Sequence, residues 1–173
     1  MEQITHCISI LEPWASKIVA KKKSIEWRSR KLIARPPETI AIATSKRGAG
    51  DTLPGGHIIG VARVSAVVPW RNTRDFFERA GDVNDYILGE RWEGYAMMIS
   101  GFGACKPVPV RGQVGIYRAP SGFTPEYADT PEQLREWWSA AGARSWSEGP
   151  HDATEDELME LMTTYGIGWR IDD

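Results

Sequence analysis

Up to residue 120 the apolar positions come in short runs, with a period of two or with none, which is strand patterning; helical spacing is brief there. Residues 6–11 are a compact apolar run. Glu12-Pro13 then opens a short helix reaching about residue 20, with Pro13 at the first helical position and Trp14, Ile18 and Val19 on one side. Residues 24–28 alternate, so that Ile25 and Trp27 face one way and Ser24, Glu26 and Arg28 the other. Residues 39–44 are apolar on both faces, as a central strand is, and 58–68 form a long β-branched run in which Gly60 supplies a bend or bulge. Segments 95–99, 108–110 and 113–117 complete about six strands. A small sheet with a glycine to curve it closes into a barrel more readily than it lies open. Residues 73–80, with Phe76 and Phe77, read as a connecting helix.

After Pro120 the period changes. Ser121, Gly122 and Pro125 are linker chemistry, and two capped helices follow. Thr130, Pro131 and Gln133 give a cap, a first-turn proline and a capping-box partner ahead of Leu134, Trp137 and Trp138. Thr154 and Glu157 repeat the box before Leu158, Leu161, Met162 and Tyr165, with Gly166 as the stop. The expected fold class is therefore α+β: a barrel of about six strands with short helices over 1–120, and a helical extension over 121–173 packed on or near it. Both helical apolar stripes read as packing surface.

Composition is that of an ordinary globular chain, 42% apolar and 25% charged, which excludes fibrous and wholly disordered classes. The longest stretch without a charge runs from Gly94 to Cys105, twelve residues, against the roughly 20 that a membrane-spanning helix needs. There is no basic-then-apolar leader, so a cytoplasmic protein is expected. Cys7 and Cys105 have neither the spacing of a disulfide framework nor a second Cys/His pair, and buried thiols are the plainer reading. No metal or cofactor is called for. The net charge of −2 conceals an asymmetry: residues 1–50 carry ten Lys/Arg against four Asp/Glu, residues 121–173 three against twelve. A basic front and an acidic tail suggest that one region meets an anion while the other competes for it, although by counting alone both are solvated faces.

The run Ser9-Ile10-Leu11-Glu12-Pro13-Trp14-Ala15, followed by Lys23-Ser24-Ile25-Glu26-Trp27-Arg28, resembles the signature of the ASCH (activating-signal-cointegrator homology) family of the PUA-like superfamily. That signature reads approximately Ser-x-x-Gln-Pro-Trp-Ala and then Gly-x-Lys-x-x-Glu-x-Arg. The resemblance continues through 40–45, 56–64 and 107–117 and covers about residues 5–118. Glu12 stands where the family usually has Gln, and Lys21 where it usually has the Gly that turns the helix into the strand. The extension from 121 has no counterpart in it. The resemblance implies a PUA-like β-barrel with a cleft between barrel and helices, in which related proteins bind RNA or nucleotides.

The residues agree in kind. Lysines and arginines between Lys17 and Arg47 lie near Trp14, Trp27 and the end of the 39–44 strand, and cations beside aromatics suit a single strand, whose phosphates meet the charges while its bases stack. Candidate binding residues are Trp14, Lys23, Glu26, Arg28, Thr44, Ser45, Lys46 and Arg47. Arg28 offers a planar fork of donors, Glu26 accepts from an exocyclic amine or holds Arg28 in position, and Lys23 adds a point charge. The plainer alternative is that Glu26 and Arg28 form an internal ion pair bracing the barrel mouth. The leading expectation is binding of single-stranded or locally unpaired RNA, or of a modified nucleoside within it, with DNA and a free nucleoside left open.

The alternative is hydrolysis. Some ASCH proteins resemble amidohydrolases acting on N4-acetylated cytidine, with a lysine and a threonine of this strand and a distant glutamate; others are described as ribonucleases. Lys23 matches the lysine, but Glu26 holds the threonine's position and cannot take a hydroxyl's part. Ser24 is the substitute hydroxyl, which makes Lys23, Glu26 and Ser24 the catalytic candidates, with Tyr95 or Tyr117 as further acids or bases for a metal-free ribonuclease. His6, His57 and His151 show no ligand or triad spacing. A third reading, a protein partner held by the tail, rests on Trp137, Trp138, Trp146 and Trp169.

Overall fold

The computed structural model describes residues 4–11, 14–19, 23–28, 34–46, 53–71, 93–113 and 115–143. Six strands form one mixed sheet: β1 His6–Ile10, β2 Ile25–Arg28, β3 Glu38–Thr44, β4 His57–Arg71, β5 Glu93–Pro109 and β6 Ile116–Arg118, in the order β2-β5-β4-β3-β1-β6. Helix α1 (Trp14–Val19) joins β1 to β2, and α2 (Pro131–Ala140) follows β6. The sheet curls into a half-barrel, the α+β architecture expected of the pattern. Segments 95–99 and 108–110, read separately in the sequence, fall on the single strand β5, which ends at Pro109, one residue short of the second. The expected helices at 73–80 and around 154–165 lie outside the described residues, as do Trp146 and Trp169.

The curl comes from the long β4–β5 hairpin. Its two halves serve different partners: β3 pairs with β4 from Ile58 to Val64, while β2 pairs with β5 from Tyr95 to Met98. The β4–β5 register shifts at Ile58/Gly60 and Arg63/Val64 within the first half and at Val64/Ala66 where the second begins, and bulges of this kind bend a strand and increase its twist. Gly60 is required there, because a Cβ at that position would lie 2.4 Å from both the Gly103 carbonyl oxygen and the Phe102 ring.

Strands β1 and β3 run parallel, and Cys7, Ile8 and Ile10 with residues 40–43 are buried on both faces, which explains the apolar runs read there. Ile8, Ile10, Ile40 and Ile42 pack with Ile59 and Met97, with Ala15 and Ile18 of α1, and with Leu134 and Trp138 of α2. The alternate residues Cys7, Ala41 and Ala43 pack with Ile58, Cys105, Tyr117 and Phe123. Helix α2 begins as its sequence predicts: the Thr130 hydroxyl accepts from the Gln133 N–H at 3.2 Å, while Gln133 Oε1 accepts from the Asp129 N–H, one residue before the cap itself. Among the described residues no helix is long and apolar enough to cross a membrane.

Trp138 is completely buried and donates its indole N–H to the Cys105 carbonyl at 3.2 Å, tying α2 to β5. Neighbouring Trp137 is only half-buried and lies beside Lys106, with the ammonium 5.2 Å from its ring centre. Trp138→Ala should therefore cost about 3–5 kcal/mol, the range for emptying a core aromatic site, and Trp137→Ala much less. Urea unfolding of the two variants measures the difference.

Candidate nucleic-acid interface

At one end of the sheet the strands finish together. Parallel strands β1 and β3 end there, β4 starts there, and β5, antiparallel to β4, ends there through the His57–Pro109 pairing. Backbone bonds carry the ladder past the strand ends: Ser45 N–H to Ile10 O at 3.0 Å, Gly56 N–H to Thr44 O at 2.9 Å, and Val110 N–H to Gly56 O at 2.9 Å. An open cleft of about 860 Å³ lies on this rim, lined by Ser9, Leu11, Arg28, Ser45, Lys46, Gly56, His57 and residues 109–113.

Arg28 reaches this rim from the far edge of the sheet. Its terminal nitrogen donates to the Ser9 carbonyl at 2.8 Å, although β2 is the first strand in the sheet order and β1 the fifth. The bond therefore spans the open side of the curl. Behind it the Glu26 carboxylate is buried between two cations, with Oε1 at 3.0 Å from Arg28 Nε and Oε2 at 3.3 Å from Lys23 Nζ. These contacts act through charge, since neither Glu26 Oε2 nor Arg28 Nε has an aligned hydrogen bond. Lys23 is itself buried and donates to the Ile25 carbonyl. Two cations on one carboxylate leave a formal net charge of +1, and the quarter-exposed Arg28 side chain presents it to the cleft.

The alternation read for β2 holds for Glu26 and Arg28, which meet on one face; Lys23 joins them from the approach to the strand. Of the proposed binding residues, the cleft brings together Arg28, Ser45 and Lys46. Trp14 packs half-buried against the core. Thr44 is buried, its hydroxyl donating to the Pro54 carbonyl and lying 3.3 Å from the His57 carbonyl. Lys23 and Glu26 stand behind the lining. Ser24 is exposed and outside it, holding the Ile99 N–H through its own carbonyl at 2.7 Å. Arg47 lies outside the described residues. Lys46 crosses Gly56, whose positive φ of 73° and lack of a side chain make room: a Cβ there would lie 2.6 Å from the lysine stem.

Sequence reasoning missed Ser9, His57, Arg111 and Gln113 as lining residues. The signal that finds them is strand register, because 109–113 meets the rim only through the pairing of β5 with β4. Gly112 sits against Ser9, where a Cβ would come within 2.9 Å of the hydroxyl oxygen. That hydroxyl lies 2.8 Å from the Tyr117 hydroxyl, to which the Cys7 thiol donates at 3.4 Å. Burial pushes the Cys7 thiol up to about 11, opposed in part by its bond to Tyr117, and raises the Tyr117 phenol well above its ordinary value. Both stay protonated near neutral pH. Among the described residues no cluster of His, Cys, Asp and Glu is arranged to hold a metal ion.

No protein-family model matches the sequence, and no curated protein matches it. The fold matches the crystal structure of ASCH from Zymomonas mobilis with a TM-score of 0.52 over 67% of this chain and 87% of that one, at 18% identity. This chain has the ASCH fold. Serine-to-alanine and tyrosine-to-phenylalanine mutants of the Z. mobilis protein match it equally, each at a TM-score of 0.51 and 18% identity over 67% of this chain, and over 88% and 90% of their own lengths. In this example of the ASCH fold, Lys23 and Glu26 stand behind the cleft and hold Arg28, which lines it.

Two measurements test the arrangement. Glu26→Gln leaves Lys23 and Arg28 without their carboxylate and should cost about 3 kcal/mol or more, as breaking a buried pair does. Arg28→Ala, which leaves Glu26 paired with Lys23, should cost less in the same urea titration. The pH dependence follows from Cys7, Cys105 and Tyr117, whose folded values are all raised, first by burial. The unfolded chain gives up these protons first, so the stability they confer is complete below pH 9 and is lost progressively above it, the share of Cys7 as pH rises through about 11. Cys7→Ala should remove that share and make the alkaline loss in urea midpoints smaller.

Proposed function

We propose that the cleft binds single-stranded or locally unpaired RNA, including a modified nucleoside within it. The observation that carries this reading is the charge of the lining: Arg28, Lys46 and Arg111 enter it, and among the described lining residues there is no carboxylate. Phosphates are the polyanion such a surface suits, and Arg28, with one edge on the Ser9 carbonyl and its Nε towards Glu26, is held ready for one. Ser45, Gln113 and His57 add polar groups for base edges or a ribose hydroxyl. The cleft's volume, in the range of small-ligand sites, suits one or a few nucleotides of such a strand.

Hydrolysis draws less support. Of its candidate residues, Lys23 is buried in an ion pair, Glu26 is spent on two cations, and Ser24 stands outside the lining. No base and hydroxyl from that set meet in the cleft.

Three phosphate contacts on a single strand give a slope of log affinity against log salt of roughly −2. Affinity for a short RNA should therefore fall by about twentyfold between 50 and 200 mM salt, read by fluorescence polarisation. Arg111→Ala and Lys46→Ala should each make the slope shallower. Binding that is absent at low salt, or flat across the series, overturns the reading.

A further inference from the structure

Leu11 is the one large apolar side chain exposed among the described residues, at 43% of its surface. A single exposed leucine is unremarkable on its own, but this one lines the cleft together with Pro109 and Val110. Its backbone is fixed where β1 passes into α1, the Leu11 carbonyl accepting from the Ala15 N–H at 3.0 Å. The rest of the lining is cationic or polar, with no Phe, Tyr or Trp among the described residues. Trp14, the aromatic nearest in sequence, packs against the core instead.

Three cations and an aliphatic patch in one cleft define an occupant that is anionic and carries a flat or compact apolar face. Within the RNA-binding reading, on which this inference rests, the phosphates answer the cations and the nucleobase is the group with such a face. We infer that Leu11, with Pro109 and Val110, is the base platform of the cleft: the base is desolvated against aliphatic carbon and not stacked on a tryptophan. Leu11 is then a residue that distinguishes a strand with bases from its bare sugar-phosphate backbone. Aliphatic contact has no hydrogen-bonding preference, so the platform itself accepts any base, and selection falls to Ser45, His57 and Gln113.

The test compares a single-stranded RNA of about six nucleotides, within the usual site sizes for such strands, with an abasic strand of the same length and phosphate count. Wild type should bind the base-bearing strand about tenfold more tightly. Leu11→Ser should reduce that preference to about threefold or less and leave the salt slope unchanged. Leu11→Phe, which keeps an apolar face, should retain the preference, and thermal melting of each variant checks that the fold is intact. Lys46→Ala should instead weaken both strands alike. Equal binding of the two strands by wild type, or a preference untouched by Leu11→Ser, overturns the platform while leaving RNA binding in place. Failure of wild type to bind either strand overturns the RNA reading itself.

Discussion

A carboxylate taken out of water must be matched by positive charge held close to it, and in this protein that requirement organises the site. Glu26 is buried in β2 and takes Lys23 on one oxygen and Arg28 on the other. Desolvating three charged groups costs more than one ion pair returns, so such a cluster is weak ground for stability as such. Its consequence is positional. With Nε drawn to Glu26, the guanidinium is turned so that its terminal nitrogen reaches the Ser9 carbonyl on a strand four places away in the sheet order. One arginine thereby joins the two sides of the curl and stands at the cleft.

The curl has to exist before that bond can form, and it depends on backbone more than on charge. β4 and β5 change register three times, and Gly60 allows the approach of β5 where any side chain would collide. A flat hairpin of that length would leave β2 remote from β1, with Arg28 facing solvent. Packing then fills the curl, with α1 and α2 supplying Ile18, Leu134 and Trp138 to the same core. The cleft is left at the rim because the strand ends there are flanked by Ser45, Gly56, Arg111, Gly112 and Gln113, which are polar, small or cationic and do not continue the core.

How much of this could be read beforehand follows the range of each interaction. Strands with a local period, the Gly60 bend, the Thr130 cap and the meeting of Glu26 with Arg28 on one face are decided within a few residues, and all were legible. The merger of 95–99 with 108–110 into β5 was not, because Ser100, Gly101, Gly103 and Lys106 interrupt the apolar pattern while β4 supplies the hydrogen bonds that hold the strand. The contributions of His57, Arg111 and Gln113 to the cleft were hidden for the same reason. Each is unremarkable in its own neighbourhood and becomes part of a site only through register with a distant strand. Thr44 illustrates the opposite error: it sits at a strand end, where binding residues collect, yet its hydroxyl is consumed by the Pro54 and His57 carbonyls.

The tryptophans make the same distinction between content and placement. Trp14 and Trp27, near lysines and arginines, read as stacking surface for bases, and the tryptophans after residue 120 as packing surface or a partner site. In the fold Trp138 is core and tied to β5, Trp14 leans on the core, and Trp137 is half-covered beside Lys106. A large aromatic ring stabilises most where it is wholly removed from water, and a small barrel with two short helices has few other residues of that volume. Among the described tryptophans packing thus comes first, and the described cleft lining is left with leucine, valine and proline for apolar contact and with arginine and lysine for charge. Such a lining separates two tasks that an aromatic cage combines: the cations set how strongly the surface holds a polyanion, and the aliphatic patch sets whether that polyanion must carry bases.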